Sequence, residues 1–501
     1  MSMFNDFVIG KFLSAVNNYP DKNAFCIAGK FYSYNDFAQH ISKIRQKIQT
    51  IKGTSEIIGL IANDDIETYA SIFAIWFEGF AYVPLHPKQP MERNLQIINQ
   101  ADITWVINSQ NNNPFEGLDV VFVGDLIFTE LLLKPNLVDE DKLAYILFTS
   151  GSTGMPKGVQ INRKNVGAFM KSFWETGFQV NESDKCLQCF DLTFDVSVQA
   201  FLTPLTKGAC TYTIPHEQIK YSYIYGLLED HHLTFCVMAP SMIRFLRPYF
   251  DEIHSESVKY CILTAEASPL ELAMEWSACI PNAEVFNFYG PTEATIYCTY
   301  HKLKNDGKNK ELNGMLSIGK PMNGVNAIIV DENSNVLSVN QKGEMCISGD
   351  QITPGYWKNP QKNSESFFTK DYQGKTTRYY KTGDLCYFDE DGDIMLSGRL
   401  DYQVKIQGYR IELGEIEYHA REYMNGNNAV AIAFENKTGN NEIALFVESE
   451  SCNINLLLDY LKTKLPPYMV PVKTIVIEIF PLNANGKMDR LVLKNSIVKS
   501  S

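Results

Sequence analysis

The stretch from Leu143 to Gln160, LAYILFTSGSTGMPKGVQ, constrains this chain more than any other. An apolar run with Leu143, Tyr145, Ile146, Leu147 and Phe148 breaks into a loop of glycines, hydroxyls and one lysine. Its length and the turn residues that bound it predict a buried strand. Gly151, Gly154 and Gly158 allow backbone N–H groups to converge on an anion. Thr149, Ser150, Ser152 and Thr153 add hydroxyl donors, and Lys157 adds a positive charge. A Ser/Gly-rich run alone is ordinarily a flexible surface loop; the coincidence of strand, glycines, hydroxyls and lysine favours a phosphate cradle. The spacing fails the P-loop template, because Met155 and Pro156 precede Lys157 and Gly158 follows it. G-x-x-x-x-G-K-[ST] needs the lysine directly after a glycine and a hydroxyl after the lysine.

At 501 residues the chain is too long for one ordinary domain. A net charge of −13 argues against a nucleic-acid partner, since neutralising phosphates needs surplus Lys and Arg. No apolar run has the length of a membrane span, and the start MSMFNDFVIGKFL lacks the features of a signal peptide. A cytoplasmic location without membrane attachment is therefore expected. The 11 cysteines are scattered through apolar segments, as reduced core thiols would be. Cys186 and Cys189 form a C-x-x-C, but a strand would point them to opposite faces and no second pair accompanies them.

Ile57–Ile61, Ile66–Glu78 and Ala81–Leu85 read as strand, helix and strand, a βαβ unit that implies parallel sheet. Strands and helices alternate to about residue 300. Between about 315 and 400 short β-rich segments separated by Asp, Asn and Gly turns predict a β subdomain. Charge and turn residues cluster at Ser397-Gly398-Arg399-Leu400-Asp401, and the remainder reads as a compact α+β unit. The expected fold class is α/β: a large N-terminal domain, residues 1–400, of parallel-rich sheets plus the β subdomain, followed by a small C-terminal α+β domain, residues 401–501.

Several clusters carry chemistry. Asn287-Phe288-Tyr289-Gly290-Pro291-Thr292-Glu293 follows the strand-like Glu284-Val285-Phe286, and ligands bind at such C-terminal strand edges in open α/β sheets. There Tyr289 can stack on a purine and Glu293 can hold Mg²⁺ against a triphosphate; the plain alternative is a turn with a solvated Glu. Lys381-Thr382-Gly383-Asp384-Leu385 puts a carboxylate in a turn between short strands, where it can accept two ribose hydroxyls, although Asp is also a common turn former. Arg399 and Lys405 follow, both of types usually solvated. Pro481 to Lys487 presents Lys487 after a turn, where a cation could meet a phosphoryl centre attacked by a carboxylate.

Taken in order, TSGSTGMPKG, NFYGPTEAT, GEMCISGDQITPGYWKNP, YYKTGDL, GRLDYQVKIQGYRIELGEIE and PLNANGKMDR resemble the core motifs of one family. It comprises the amino-acid adenylation domains of nonribosomal peptide synthetases and their stand-alone relatives, including D-alanyl carrier protein ligases, in the adenylate-forming (ANL) superfamily. The segment FEGFAYVPLHP is similar to an early motif of the family, with Phe80 where a second Gly is usual. The resemblance implies a two-step reaction: ATP and an amino acid give an aminoacyl-adenylate and pyrophosphate, and a thiol then takes the acyl group. Thr149 to Gly154 and Lys157 would hold the β- and γ-phosphates, Glu293 the Mg²⁺, Tyr289 the adenine and Asp384 the ribose. Arg399 would contact ribose or phosphate. Ala265, Glu266, Asn287, Gly290, Thr292 and Lys405 are the further nucleotide-binding positions, with Ala265 standing where the family usually has Gly. Catalysis would rest on Lys487, bridging carboxylate and α-phosphate, together with Glu293, and Asp401 matches the hinge of a mobile C-terminal domain.

Phe194-Asp195-Val196-Ser197-Val198-Gln199 resembles the family's substrate-reading motif, with Asp195 at the position that pairs with an α-ammonium group. An N-cap is the structural alternative for Asp195. The implied pocket is Asp195, Val196, Gln199, Val237, Ile262, Thr264, Phe288, Ile296 and Tyr297. Asp-Val-Gln is similar to proline-selecting pockets, whereas Thr264, Phe288 and Tyr297 are not; proline leads and alanine or another small amino acid follows. With 14 residues after Lys487 and no carrier segment among them, a separate phosphopantetheinylated carrier protein is the expected acceptor. The rival readings are an acyl- or aryl-CoA ligase of the same superfamily and a non-catalytic nucleotide-binding relative.

Overall fold

The computed structural model describes residues 2–51, 55–151, 154–304, 306–449, 451–481 and 488–499. Ser152, Thr153 and Lys487 lie outside the described residues. The chain divides into two compact units. The first holds the residues up to Pro87, Ile98–Leu147 and Gly158–Leu400; the second gathers Lys88–Ile97, Phe148–Lys157 and the chain from Asp401 onward.

Among the described residues the first unit is built on two large sheets. One has nine strands, with Glu284–Tyr289, Tyr260–Leu263, Phe235–Met238, Lys185–Gln188, Cys210–Thr213 and Asn23–Ile27 adjacent and parallel in its interior. The other has six, in the order Asp119–Phe122, Trp105–Asn108, Ile57–Ile61, Ala81–Leu85, Leu143–Thr149 and Lys157–Asn162. The strand, helix and strand predicted at Ile57–Ile61, Ile66–Glu78 and Ala81–Leu85 have those bounds, and the two strands pair in parallel. The helix starts where the Asp65 carboxylate accepts the Thr68 N–H and stops at Gly79, which takes the left-handed conformation of a C-cap. It is apolar on all sides because it is buried on all sides. Tyr69, Phe73 and Trp76 each meet Phe201 of the helix Asp195–Leu205, with ring centroids 5.7, 6.4 and 6.4 Å apart. One apolar cluster joins these helices to residues of both sheets, including Leu60, Tyr82, Cys186, Val237 and Phe288.

The parallel-rich α/β class expected from the sequence is the class found. Within the span expected to be β-rich, Val325–Val330, Gly343–Gly349, Lys375–Phe388 and Phe367–Tyr372 form a sheet in that order, with Ile394–Arg399 pairing to the long strand. Cys186 lies in the strand Lys185–Gln188 and Cys189 just past it; both are buried, in different apolar clusters.

In the second unit, Gln403–Ile406 and Tyr409–Glu412 form a hairpin, while Ala429–Glu435, Asn441–Glu448 and Lys473–Ile477 form a sheet under the helices Leu413–Tyr423 and Ile454–Lys464. Its core includes Ile411, Ile416, Ala431, Leu445, Leu457 and Leu461.

Candidate active site

Three constellations of the first unit, and one of the second, carry the residues singled out in the sequence. The first centres on Asp384. It sits within the strand Lys375–Phe388 and not in a turn between short strands. The sequence reading missed this because the local irregularity is a bulge: against Gly343–Gly349 the register runs from Cys346↔Lys381 to Glu344↔Leu385, so four steps on one strand face two on the other. Gly383, at φ +73°, supplies the left-handed residue that the bulge needs. Arg399 Nη1 donates to Asp384 Oδ1 at 2.7 Å, and the Tyr289 hydroxyl donates to Asp384 Oδ2 in a short bond. Burial, and then the neighbouring Asp384 charge, push the Tyr289 phenol far above its ordinary range, so it stays a neutral donor. Neither Asp384 nor Arg399 is thus a merely solvated charge.

The second constellation surrounds Glu293. Its carboxylate is fully buried in a turn of 3₁₀ helix, Thr292–Ala294, where the solvated alternative would have exposed it. The Tyr356 hydroxyl donates to Glu293 Oε1 at 2.6 Å. Thr295 and Ile296 follow at φ +53° and +80°, a left-handed conformation that is costly for β-branched residues. Gln351 binds this turn at three points: its side-chain amide donates to the carbonyls of Ala294 and Tyr297, and its backbone carbonyl accepts from Thr295 Oγ1 at 2.5 Å. Asn287 is held by Ser268 and by the Ser317 carbonyl at 2.8 and 2.9 Å. Gly290 and Thr292 complete this edge.

The third is the pocket around Asp195. Phe194 is the N-cap and Asp195 the first helical residue, so the N-cap alternative fails. Asp195 is buried at 8% exposure, and its charge acts on Tyr145 and Tyr297. Tyr297 Oη donates to Gln199 Oε1 at 3.3 Å and also contacts Thr264; its ring lies 5.1 Å from that of Phe288. Val237 and Ile262 are register partners on adjacent strands, and Val196 and Ile296 are buried with them. Val196, Val237, Ile262, Phe288, Ile296 and Tyr297 belong to one apolar cluster. Ala265, the residue in place of the usual Gly, has φ +68°. Glu266 holds the start of the helix Pro240–Leu246 by accepting from Ser241 N and Oγ at 2.9 and 3.0 Å.

The fourth constellation lies within the second unit. Gly154, at φ +80°, leaves no room for a side chain: a Cβ there would stand 2.4 Å from the Tyr418 ring. Gly151 N donates to Glu415 Oε2 at 3.0 Å, Lys157 Nζ lies 3.0 Å from Glu412 Oε1, and Ser150 Oγ donates to the Arg410 carbonyl at 2.9 Å. Thr149 Oγ1 contacts the Lys157 carbonyl at 3.5 Å. The loop's donors therefore do meet anions, and here those anions are carboxylates. Glu415 also pairs with Arg93, both almost wholly buried. Burial disfavours the Arg93 charge, but Glu415 outweighs it and raises the guanidinium pKa. Lys405 is the register partner of Arg410 in the hairpin, and Asp401 Oδ1 accepts from Gln403 N at 3.1 Å. Arg93, Gln351, Tyr356, Glu412 and Glu415 carry no local signal of these contacts in the sequence, although the last four stand inside the motifs named above.

Residues 12–357 match the profile of the AMP-binding enzyme family. Tyrocidine synthase 1 of Brevibacillus parabrevis is 30% identical over 488 residues, 95% of this chain and 44% of that protein. Gramicidin S synthase 1 of Brevibacillus brevis is 29% identical over 493 residues, 96% of this chain and 43% of that protein. The chain thus spans less than half the length of either relative. In fold, it superposes on the Vibrio cholerae adenylation domain AlmE in complex with glycyl-adenosine-5'-phosphate with a TM-score of 0.86, at 23% identity, covering 98% of this chain and 97% of that one. PA1221, an NRPS protein containing adenylation and PCP domains, gives a TM-score of 0.86 at 21% identity, covering 98% and 85%. Among the described residues no helix is long and apolar enough to cross a membrane. With 346 of its 501 residues inside the family profile and the motif residues clustered as described, this chain belongs to the AMP-binding enzyme family, within the adenylate-forming (ANL) superfamily.

Proposed function

We propose that this enzyme activates an α-amino acid with ATP, forming an aminoacyl-adenylate and pyrophosphate, and then passes the aminoacyl group to the phosphopantetheine thiol of a separate carrier protein. The observation that carries the reading is Asp195: a buried carboxylate at the start of a helix that it does not cap, set beside Tyr297 and Tyr145. The α-ammonium of an amino acid is a cation that such a carboxylate can bind and that a fatty or aryl acid lacks. Proline leads among substrates, with alanine or another small amino acid next; the bulk of the Tyr297 phenol among the pocket residues supports a small side chain.

In this reading Asp384 accepts the ribose hydroxyls, Tyr289 lies along the adenine, and Arg399 holds Asp384 in place through its hydrogen bond. Gly151, Gly154, Ser150 and Lys157 bind the leaving pyrophosphate, and Lys487 bridges substrate carboxylate and α-phosphate, offsetting charge that peaks as the two anions meet. Mg²⁺ suits one carboxylate plus phosphate oxygens; Glu293 is that carboxylate, and the ion would neutralise the triphosphate. Asp401 is the pivot between a residue 1–400 core and a mobile 401–501 domain. The free cysteines fit a reducing, cytoplasmic setting. Carrier transfer is supported by the architecture of similar proteins such as PA1221, which contains adenylation and PCP domains.

The test is amino-acid-dependent exchange of labelled pyrophosphate into ATP, screened across D- and L-amino acids. Exchange with proline or a small amino acid is expected. Exchange with none of them, but with fatty or aryl acids, would establish the acyl-CoA ligase alternative instead.

A further inference from the structure

We propose that His86, Asp191 and His216 form a site for one divalent transition-metal ion of the zinc class, in the first unit and apart from the Glu293 carboxylate. One ring nitrogen of each histidine and a carboxylate oxygen of Asp191 all lie within 4.8 Å of one another, at half-buried positions. Even an equilateral triangle with that edge has its centre about 2.8 Å from each atom, within about 0.7 Å of a zinc–ligand bond. The imidazole rings stand edge to face with centroids 5.8 Å apart.

Each residue follows the end of a different strand. His86 comes after Ala81–Leu85 of the six-stranded sheet; Asp191 and His216 come after Lys185–Gln188 and Cys210–Thr213, parallel neighbours in the nine-stranded sheet. An ion held by all three would therefore staple one sheet to the other. Two imidazoles and one carboxylate suit zinc and its first-row neighbours better than Mg²⁺ or Ca²⁺, which prefer oxygen ligands throughout. His216 Nε2 lies 3.2 Å from the Ala62 carbonyl. A ring N–H given to a backbone carbonyl is the contact that orients a ligating imidazole. Lys220 Nζ stands 3.2 Å from Asp191 Oδ1, so Asp191 already holds a cation, one that a metal would displace or share.

The test uses the full, untagged chain stripped of metal and titrated with Co²⁺ and then Zn²⁺. One equivalent of Co²⁺ is expected to give visible ligand-field bands at micromolar concentration, Zn²⁺ to bleach them, and Zn²⁺ to raise the melting temperature. His86→Asn and His216→Ala should each lose the bands and the thermal shift, while His254→Ala, at an exposed histidine, should keep both. His216→Ala also breaks the contact with Ala62; should it fail to fold by circular dichroism, His86→Asn decides alone. Absence of stoichiometric binding by the unaltered chain, bands that persist in a folded His86→Asn, or equal loss in His254→Ala would overturn the site.

Discussion

Asp384 and Arg399 are register partners across an antiparallel pair, and the guanidinium donates to the carboxylate at 2.7 Å. With the Tyr289 hydroxyl on the other oxygen, both carboxylate oxygens of Asp384 are held and aimed by donors from two other strands. Asp384→Asn keeps the shape and removes the charge. It should raise the KM for ATP by about tenfold or more, the loss of a charge-assisted hydrogen bond, with a smaller change in the KM for the amino acid. Steady-state pyrophosphate exchange separates the two; equal increases would make Asp384 a structural strut.

Glu412 and Glu415 engage the same loop but should respond oppositely to the same change. Lys157 and Glu412 are both partly accessible to solvent, so Glu412→Gln should leave stability nearly intact and lower the KM for ATP by releasing the lysine. Glu415→Gln strands the buried Arg93 and should cost about 3–5 kcal/mol in urea unfolding. Matching stabilities for the two variants would contradict the burial difference.

Ala265 adopts φ +68°, a conformation that costs an L-residue with a Cβ about 1–2 kcal/mol and glycine almost nothing. After the extra flexibility that glycine gives the unfolded chain, Ala265→Gly should stabilise by about 1 kcal/mol. Chemical denaturation reads this directly; destabilisation would mean that the Ala265 methyl packs usefully.

Ten of the eleven cysteines are buried, and burial pushes thiols upward, Cys189 and Cys261 to about 12 and Cys279 to about 11. A thiol attacks only as thiolate. The native chain should therefore release about one equivalent of thionitrobenzoate quickly, from Cys452, and eleven in denaturant. Rapid reaction of Cys186 or Cys189, mapped by mass spectrometry, would reopen a redox role for that pair.

Asp195→Ala should weaken the amino acid far more than ATP, since the carboxylate lies among the pocket residues and does not cap its helix. Isothermal titration with each ligand distinguishes this from general damage, which would weaken both alike.

Periodicity and turn chemistry reveal elements whose residues are buried on a regular schedule. The bounds of Ile57–Ile61, Ile66–Glu78 and Ala81–Leu85 could be read because Asp65 and Gly79 mark the helix ends chemically. Asp384 could not be placed, because a bulge and a turn share the same Gly-Asp signature and differ only in whether strand pairing resumes beyond them. The strand end and turn at Glu293 were recognisable in the sequence, yet their support was not. Gln351 and Tyr356 act across more than fifty positions of sequence, and no local pattern announces such a bond. Glu412 and Glu415 were hidden for a related reason: a carboxylate meeting a phosphate-type loop looks, in one dimension, like an ordinary surface acid.

Gln351 holds Thr295 and Ile296 in a turn that they would not adopt alone, and the turn leads directly into Tyr297. If the proposed pocket reads the substrate, its selectivity is consequently not a property of lining side chains that can be exchanged one for one. A transplant of another enzyme's pocket residues that left Gln351 unmatched would place correct side chains on a backbone free to relax, so the transplantable unit spans two distant segments of sequence.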